Sequence, residues 1–556
     1  MRIVTTAYCA LILAACLFAT GCAPAESLSP ANVKAKPAAP TGESPSPESG
    51  NASASTDKQA GEPASETGRP YETAKPVIDP ITANGEIFVE WPKPQLAIMI
   101  SGELDGYIEP CGCAGLENQL GGLKRRHTLI KQLEEQGWPL VRLDLGGLVK
   151  RRGVQTEIKY RYALESLVEL GYAAIGLGGA ELQLGNIDAV AGALMNLAPE
   201  QNPVISANVG IYGLDESVEV GMTKRYRVIE AGGKRVGVTS VLGAKHLAAL
   251  KNASDVATVS AAEALARVAP ELAAEDCDIQ VLLVHGHPSE ATELALKFPQ
   301  FQIVATAGAD EPPKQPRKIE GSNALLIEAG HKGMHVIVLG IYDNPAQVRY
   351  QRVPLDSRFA DSPEMQEKLT AYQQELETMT LSGLGLRGTT HPDGDFAGSA
   401  ACADCHTKAW EAFEKTPHAH ATDTLVKLEP PRHFDPECLS CHVTGWNPQE
   451  YMPYKTGFTG LTETPEMTQN GCENCHGPAA AHVKVESGEV DVPAAQQEAL
   501  RAELRMNIVA NEGNKDGQEF EGGKVVQNCM ECHDLDNSPD FDFQEYWPKV
   551  RHEGKD

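Results

Sequence analysis

The chain is 556 residues long and carries 76 acidic against 48 basic side chains, which gives a formal net charge of −28 at pH 7. One domain usually takes roughly 100 to 200 residues, so we expect two or three folded units. The negative charge repels nucleic acids and anionic membrane surfaces at long range, which excludes both as main partners. A partner protein with a basic surface is favoured instead.

Residues 1–22 have the composition of an export signal. Arg2 provides the positive charge, an apolar stretch covers residues 7–18, and small residues precede Cys22. This end resembles a bacterial lipobox, in which the cysteine becomes the lipidated first residue of the mature protein. Cleavage without lipidation is the alternative. We therefore expect an exported, periplasmic protein with lipidation at Cys22.

Residues 23–89 are dominated by Pro, Ala, Ser, Glu, Thr and Gly. Such a segment buries too little apolar surface to fold, so we interpret it as a disordered tether. No later stretch approaches the roughly 18 apolar residues of a membrane span, so the lipid is the expected membrane anchor.

Residues 90–358 alternate short apolar runs with amphipathic stretches, a pattern typical of an α/β domain. Seven apolar runs are predicted strands: 96–100, 140–146, 203–209, 235–243, 279–287, 301–308 and 335–342. Predicted helices include 124–137, 161–171 and 293–298.

Six segments of this domain resemble, in order, the loops of calcineurin-like metallophosphoesterases of the bacterial 5′-nucleotidase and UDP-sugar hydrolase branch. The matching segments are 102–113, 121–126, 143–148, 176–185, 205–209 and 283–287. The resemblance implies an α/β sandwich and a site for two divalent metal ions that activate water and hold phosphate oxygens.

The metal ligands of that family are largely replaced in this chain. Glu103 and Asp105 stand where the family has Asp and His, Gly147 replaces the bridging Asp, and Gly179 and Ala180 replace Asn and His. His285 remains, and the last motif, residues 307–310, has no histidine. Because glycine offers no ligand atom, we predict that the fold is retained without its catalytic two-metal site.

Three cysteines of this domain, Cys111, Cys113 and Cys277, have no assigned role. A disulfide to Cys277 is one interpretation, and a metal or redox site near the first loop is the other. The histidine pairs 285/287 and 331/335 could join such a site, but we interpret them as structural and assign them no function.

A predicted helix at residues 363–378 lies in a helical connector, residues 359–394. The remaining residues, 395–556, contain four copies of the motif Cys-x-x-Cys-His. The paired cysteines are Cys402 and Cys405, Cys438 and Cys441, Cys472 and Cys475, and Cys529 and Cys532. The histidines that follow them are His406, His442, His476 and His533.

This motif is that of covalent haem c attachment. Two thiols three positions apart lie on one helical turn and form thioethers to one porphyrin, and the next histidine ligates the iron. Zinc sites or disulfides are the alternatives, but neither requires a histidine after every cysteine pair. We predict four haem c groups.

A sixth ligand separates electron carriers from haem enzymes, because a second histidine closes the iron to substrates. The region offers five candidate distal ligands: His418, His420, His433, His482 and His552. Nothing in the sequence requires that all four irons receive one.

Segments 402–424, 435–445, 471–482 and 529–552 resemble the tetrahaem cytochrome c family that accepts electrons from hydroxylamine oxidoreductase. The resemblance implies a mainly helical domain with haems in close-packed pairs, most irons ligated by two histidines and room for one five-coordinate iron.

The predicted function is electron transfer by a tetrahaem cytochrome, with the α/β domain as a docking module and redox proteins as partners. A haem enzyme that acts on a small nitrogen or sulfur compound is the first alternative. A metal-dependent phosphoesterase with an appended cytochrome is the second.

Overall fold

The computed structural model describes residues 78–110, 119–309, 311–342, 347–506, 524–534, 536–538 and 541–552. They belong to one compact unit, Thr67–Asp556. Cys22, Cys111 and Cys113, the predicted signal, and most of the predicted tether lie outside the described residues. Among the helices of the described residues, none combines the length and apolar character that crossing a membrane requires.

The described residues form fifteen β-strands: β1 (Leu96–Ser101), β2 (Leu140–Asp144), β3 (Ala174–Ile175), β4 (Val209–Ile211), β5 (Tyr226–Ala231), β6 (Lys234–Leu242), β7 (Val256–Thr258), β8 (Ile279–His285), β9 (Ile303–Thr306), β10 (Arg317–Lys318), β11 (Leu325–Glu328), β12 (His335–Ile341), β13 (Val348–Pro354), β14 (Trp446–Asn447) and β15 (Met452–Pro453).

They also form eighteen α-helices: α1 (Pro80–Asn84), α2 (Leu123–Glu135), α3 (Val154–Glu169), α4 (Ile187–Met195), α5 (Leu214–Glu219), α6 (Ala244–Ala249), α7 (Ala261–Ala274), α8 (Pro288–Lys297), α9 (Pro363–Gly383), α10 (Ala400–Ala403), α11 (Thr407–Phe413), α12 (Ala421–Lys427), α13 (Pro436–His442), α14 (Cys472–His476), α15 (Ala480–Glu486), α16 (Ala494–Glu503), α17 (Lys524–Cys532) and α18 (Phe543–Val550).

Two sheets form the α/β region. The first has the strand order β13-β12-β1-β2-β3, and the second has the order β10-β11-β9-β8-β6-β5. Alternate side chains of a strand point to opposite faces. On β1, Leu96, Ile98 and Ile100 therefore enter the core between the sheets, whereas Ala97 and Met99 pack on the outer side.

Helices cover both outer faces of the sheet pair. Leu133 of α2 and Leu164 of α3 pack in the same cluster as the outer side chains of the first sheet. Leu265 of α7 and Leu294 of α8 do the same for the second sheet. The result is a four-layer helix–sheet–sheet–helix sandwich, which confirms the predicted fold class.

One predicted strand, 203–209, is wrong. The segment is buried, but it contributes only the start of β4 and isolated bridges at Val204 and Ile205. The side chain of Asn208 bonds the backbone of Leu242 instead of continuing a strand ladder. A short apolar run indicates that a segment is buried. It does not distinguish a buried strand from a buried loop.

The folded part of the chain begins before the predicted boundary at residue 89. Helix α1 lies in this segment, and the ring of Phe88 lies 5.3 Å from the ring centroids of both Trp91 and Trp138. These aromatic contacts fix Phe88 on the folded region, although the segment before it has a composition typical of disorder.

From residue 395 onward, the described residues form short helices and one two-strand pair, β14 with β15. Among the described residues, the buried apolar cluster of this region is small: Phe396, Leu425, Leu439, Val443, Trp446, Phe458 and Met467. Helix α9 joins the two regions, since its Leu369 and Leu376 pack in one cluster with Ile158 of α3, and Phe434 of the second region packs against that cluster.

Candidate haem sites and the remnant of a metal site

Each Cys-x-x-Cys-His motif overlaps a short helix: α10, α13, α14 or α17. Helical residues three apart lie on one face, so the two thiols of a motif point to the same side. Within the described part of the chain, the motif cysteines form no disulfides. The geometry suits two thioether bonds to one porphyrin at each motif.

Three motif histidines lie beside a histidine from elsewhere in the chain. The ring centroids are 6.4 Å apart for His406 and His482, 6.0 Å for His533 and His418, and 5.9 Å for His476 and His552. Metal–imidazole bonds of about 2 Å place a ring centroid about 3 Å from the metal, so each gap of about 6 Å fits one iron.

Hydrogen bonds at Nδ1 orient three of the motif rings. The Nδ1 of His442 lies 2.9 Å from the carbonyl of Ala421, that of His476 2.7 Å from the carbonyl of Leu504, and that of His533 3.1 Å from Oγ of Ser538. A carbonyl partner makes Nδ1 the protonated nitrogen and leaves Nε2 as the ligand atom in His442 and His476, whereas the Ser538 hydroxyl orients the ring of His533 without fixing its tautomer.

The other two candidate distal ligands have different surroundings. The Nε2 of His420 lies 3.1 Å from the carbonyl of Glu414, a contact that occupies the nitrogen an iron would need. His433 packs on the ring of Phe434, and its buried Nδ1 has no hydrogen-bond partner among the described residues. The structure thus brings His418, His482 and His552 to motif histidines. Burial lowers the pKa of His418 to about 4, so its ring is neutral at pH 7, the form that binds metal.

Thiols of different motifs approach each other in two pairs. Cys402 lies beside Cys472, and Cys441 lies beside Cys532. The first and third motifs are therefore neighbours, and so are the second and fourth. Together with the histidine pairs, this arrangement fits haem c groups held in two adjacent pairs.

Buried polar contacts fix the second motif to the α/β region. Asp435, at the start of α13, accepts hydrogen bonds from Gln155 of α3 at 2.7 Å and from Gln373 of α9 at 2.8 Å. A second acidic residue of α13, Glu437, forms ion pairs with Lys159 and with Arg151. The region that contains the four motifs, called the haem-bearing region below, is thus docked on helix α3 of the sandwich.

The loops at one edge of the sandwich bring together two carboxylates of the first phosphoesterase-like loop and a histidine from the loop after β11. Ligand atoms of Glu103, Asp105 and His331 all lie within 4.8 Å of one another. Burial and the charge of Asp105 raise the pKa of Glu103 to about 8. The interaction with Asp105, whose carboxylate lies 3.8 Å from Nδ1, is the main reason why the pKa of His331 rises to about 9.

The residues present do not fit a pair of metal ions. A Cβ at Gly147 would lie 2.8 Å from Oε2 of Glu103 and 3.0 Å from the ring of His285. A Cβ at Gly179 would lie 2.4 Å from Nδ1 of His246. Neighbouring side chains therefore fill the positions where the family's bridging aspartate and asparagine would project.

Sequence reasoning assigned no function to His331, and it did not single out Glu181 or His246. Glu181 is 1% exposed and accepts hydrogen bonds from the backbone N–H groups of Gly147 and Gly178. The sequence contained one indication for His331, which is that it follows an apolar run that forms β11. Loops that follow parallel strands lie at the same edge of a sheet, where ligands commonly bind.

The same edge contacts the fourth motif. Lys332, directly after His331, lies 2.7 Å from a carboxylate oxygen of Asp536, and Lys150 lies 3.3 Å from the other oxygen. Asp536 is three residues beyond His533. The remnant site and the haem-bearing region are therefore neighbours.

Comparison with known proteins gives the class of each region. Residues 401–477, which contain the first three haem-attachment motifs, match the family model "Cytochrome c554 and c-prime". Residues 401–477 are thus similar to c-type cytochromes, and the α/β region is similar to 5′-nucleotidases, which confirms both resemblances.

The particular relatives match parts of the chain. Cytochrome c-554 of Nitrosomonas europaea is 32% identical over 99 residues, which is 16% of this chain and 40% of that protein. A snake venom 5′-nucleotidase of Gloydius brevicauda is 31% identical over 127 residues, which is 23% of this chain and 21% of that protein. The structure of a 5′-nucleotidase precursor from Thermus thermophilus aligns with a TM-score of 0.43 and 19% identity, over 59% of this chain and 68% of that chain.

Proposed function

We propose that this chain is an exported, membrane-tethered cytochrome that binds four haem c groups and transfers electrons between partner proteins. The observation that carries the proposal is a distance. The ring centroids of three motif histidines lie about 6 Å from those of His418, His482 and His552, which is the separation of two imidazoles bound to one iron. Two histidines on one iron favour electron transfer, because the iron keeps its ligands in both oxidation states.

The residues of the motifs would hold the cofactors. Thioethers would form at Cys402 and Cys405, Cys438 and Cys441, Cys472 and Cys475, and Cys529 and Cys532. The proximal ligands would be His406, His442, His476 and His533. Haem c supplies reversible one-electron exchange between ferric and ferrous iron. The protein contributes ring orientation through the Nδ1 hydrogen bonds and a partly buried site.

The α/β region acts in this proposal as a docking module. The buried contacts of Asp435 and Glu437 hold the second motif against α3, so partner binding at the sandwich would orient the haem-bearing region. The net charge of −28 favours a basic redox partner, because opposite charge accelerates encounter. Lipidation of Cys22, with the Pro-, Ala- and Ser-rich segment after it as the tether, would keep the molecule at the periplasmic side of a membrane.

Haem counting tests the cofactor part of the proposal. A pyridine haemochrome assay, combined with protein quantification by amino-acid analysis, should give four haems per mature chain. A value of two or fewer would contradict the proposal.

A pair of variants tests the distal ligands. His418→Ala should open the iron at His533, so that carbon monoxide binds the reduced protein and a high-spin signal appears. His420→Ala is the matched control, because it lies two residues away in the same turn and directs its Nε2 to Glu414. The assignment is wrong if His420→Ala opens an iron and His418→Ala does not.

A further inference from the structure

We propose that Glu473 is a positioning residue, which holds His482 where it can ligate the iron bound by His406. The inference rests on the proposed function, because it takes these two histidines as the axial ligands of one haem. Glu473 stands between the two cysteines of the third motif and takes no part in haem attachment itself. It is only 3% exposed, although glutamate is rarely buried unless a partner satisfies its charge.

The partners of Glu473 are three backbone N–H groups. Its Oε1 accepts hydrogen bonds from Ala397 and from Ala479, each at 2.8 Å, and its Oε2 accepts one from Gly398 at 2.7 Å. An ionised carboxylate has no hydrogen to donate and has room for about four such bonds, so it suits a cluster of donors. Hydrogen bonds to an ionised group are stronger than those between neutral groups. The buried carboxylate therefore holds its three donors together.

The three donors lie in the two segments that carry the paired histidines. Ala397 and Gly398 lead into α10, the helix of the first motif, which His406 completes. Ala479 directly precedes α15, and His482 lies in the first turn of that helix. Because Oε1 bonds both Ala397 and Ala479, a single atom joins the two segments.

The ring separation that an iron needs depends on this junction. The ring centroids of His406 and His482 are 6.4 Å apart. A metal site requires its ligands to be held within about 0.5 Å of their productive places, so a small displacement of α15 would remove the distal ligand. One other bond joins the segments, from the N–H of Ala480 to the carbonyl of Asp395 at 3.0 Å. We expect this bond to keep α15 attached when Glu473 is replaced, so that the helix moves without unfolding.

The helix of the third motif directs Glu473 away from the haem of its own motif. Cys472 and Cys475 are three positions apart and share one face of α14, whereas adjacent residues of a helix point in different directions. An apolar side chain at this place would avoid the cost of burying a charge. The carboxylate is therefore explained by the N–H groups that it binds.

The next residue makes a contact of the same kind with the second motif. The amide of Asn474 donates a hydrogen bond to the carbonyl of Val443, directly after His442, at 2.9 Å. Its Oδ1 accepts one from the N–H of Gly471 at 2.9 Å. The two residues between the cysteines of the third motif thus join it to the segments of the first and second motifs.

Carbon monoxide binding to the reduced, haem-loaded mature protein tests the role of Glu473, because carbon monoxide binds an iron only at an open position. His482→Ala is the reference variant, and it should add one carbon monoxide site per chain to those of the wild type. Glu473→Leu removes both acceptor oxygens and should add the same site, together with a high-spin signal in electron paramagnetic resonance. Glu473→Gln keeps one acceptor oxygen and should add only a fraction of a site. Glu531→Leu is the matched control, because this glutamate also lies between two motif cysteines but is exposed, and it should add none.

The outcomes separate the role of Glu473 from the proposed function. The role is refuted if Glu473→Leu retains four haems and binds no more carbon monoxide than the wild type, while His482→Ala gains a site. If Glu473→Leu attaches fewer than four haems, Glu473→Gln decides, and carbon monoxide binding equal to that of the wild type refutes the role. If His482→Ala itself gains no site, the ligand assignment is wrong and the role of Glu473 is refuted with it. A wild-type protein with two haems or fewer contradicts the proposed function and this inference together.

Discussion

The α/β region and the haem-bearing region bury apolar surface in different ways. The first contains three large clusters of buried side chains on and between its sheets. The second, among its described residues, has one buried cluster of seven side chains and helices that are mostly under ten residues long. Short helices are not stable by themselves. The comparison indicates that side chains stabilise the first region, and we expect covalently bound haem c to stabilise the second.

The largest expected effect comes from removing the cofactors. Replacing the cysteines of all four motifs by alanine should unfold residues 395–556 and leave residues 90–358 folded, because the small apolar cluster cannot offset the loss of chain entropy. Limited proteolysis followed by mass spectrometry would identify the resistant fragment. Cys277→Ala is the control that keeps both regions intact. A protease-resistant cytochrome region without haem would refute the comparison.

The next effect is the loss of packing between the sheets. Leu283 is fully buried there, so Leu283→Ala should lower the free energy of unfolding of the α/β region by about 2 to 5 kcal/mol. Urea unfolding followed by tryptophan fluorescence would measure the change. The control is Leu296→Ala, since Leu296 is 47% exposed. If the haem Soret band shifts at the same urea concentration, the two regions unfold as one unit.

A smaller effect is expected at the contact between the regions. Lys159 is 7% exposed and pairs with Glu437, so Lys159→Ala would leave that carboxylate in a poorly hydrated place. We expect a loss of about 1 to 3 kcal/mol in unfolding free energy, below the value for a fully buried pair. Lys549→Ala removes an exposed pair with Glu545 and should cost about 0 to 0.5 kcal/mol. Equal effects of the two variants in chemical denaturation would mean that the contact does not stabilise the protein.

The pH dependence of the same contact gives the smallest effect. Burial alone would raise the pKa of Glu437, but Lys159 and Arg151 outweigh it, and the pKa is lowered from its ordinary value of 4.5. A lowered pKa in the folded state stabilises the protein above pH 4.5, and this stabilisation is lost as the pH falls through the folded pKa. Unfolding free energies measured between pH 7 and pH 3 should therefore fall less steeply for Glu437→Gln than for the wild type. Parallel curves would show that Glu437 does not contribute.

Much of the fold could be predicted from local pattern. The strand runs at 96–100 and 279–287 lie on β1 and β8, and the helix at 124–137 lies on α2. The segment 203–209 was mistaken for a strand, because buried loops and strands have the same apolar composition. Helix α3 begins at Val154, seven residues before its predicted start, because its first turns contact the second haem motif through polar side chains such as Gln155.

The candidate sites also contain some residues that local sequence identifies and others that only the fold brings together. The eight cysteines and four motif histidines are adjacent in sequence, so their spacing alone indicates haem attachment. Distal partners are separated from their motif histidines by up to 115 residues in the case of His418 and His533, and no spacing rule connects them. The sequence analysis interprets His331 as structural, and no spacing rule connects it to Glu103 and Asp105, which are more than 200 residues away.

The sequence by itself determined the haem-attachment chemistry, the sandwich class of the α/β region and the loss of the family's two-metal ligand set. These features depend on residue type and short-range spacing. The tertiary structure decided which histidines face each other, how the second and fourth motifs contact the sandwich, and that Glu103, Asp105 and His331 form one cluster. Such groupings join distant parts of the chain, and they are set by the packing of sheets and helices, which local sequence does not encode.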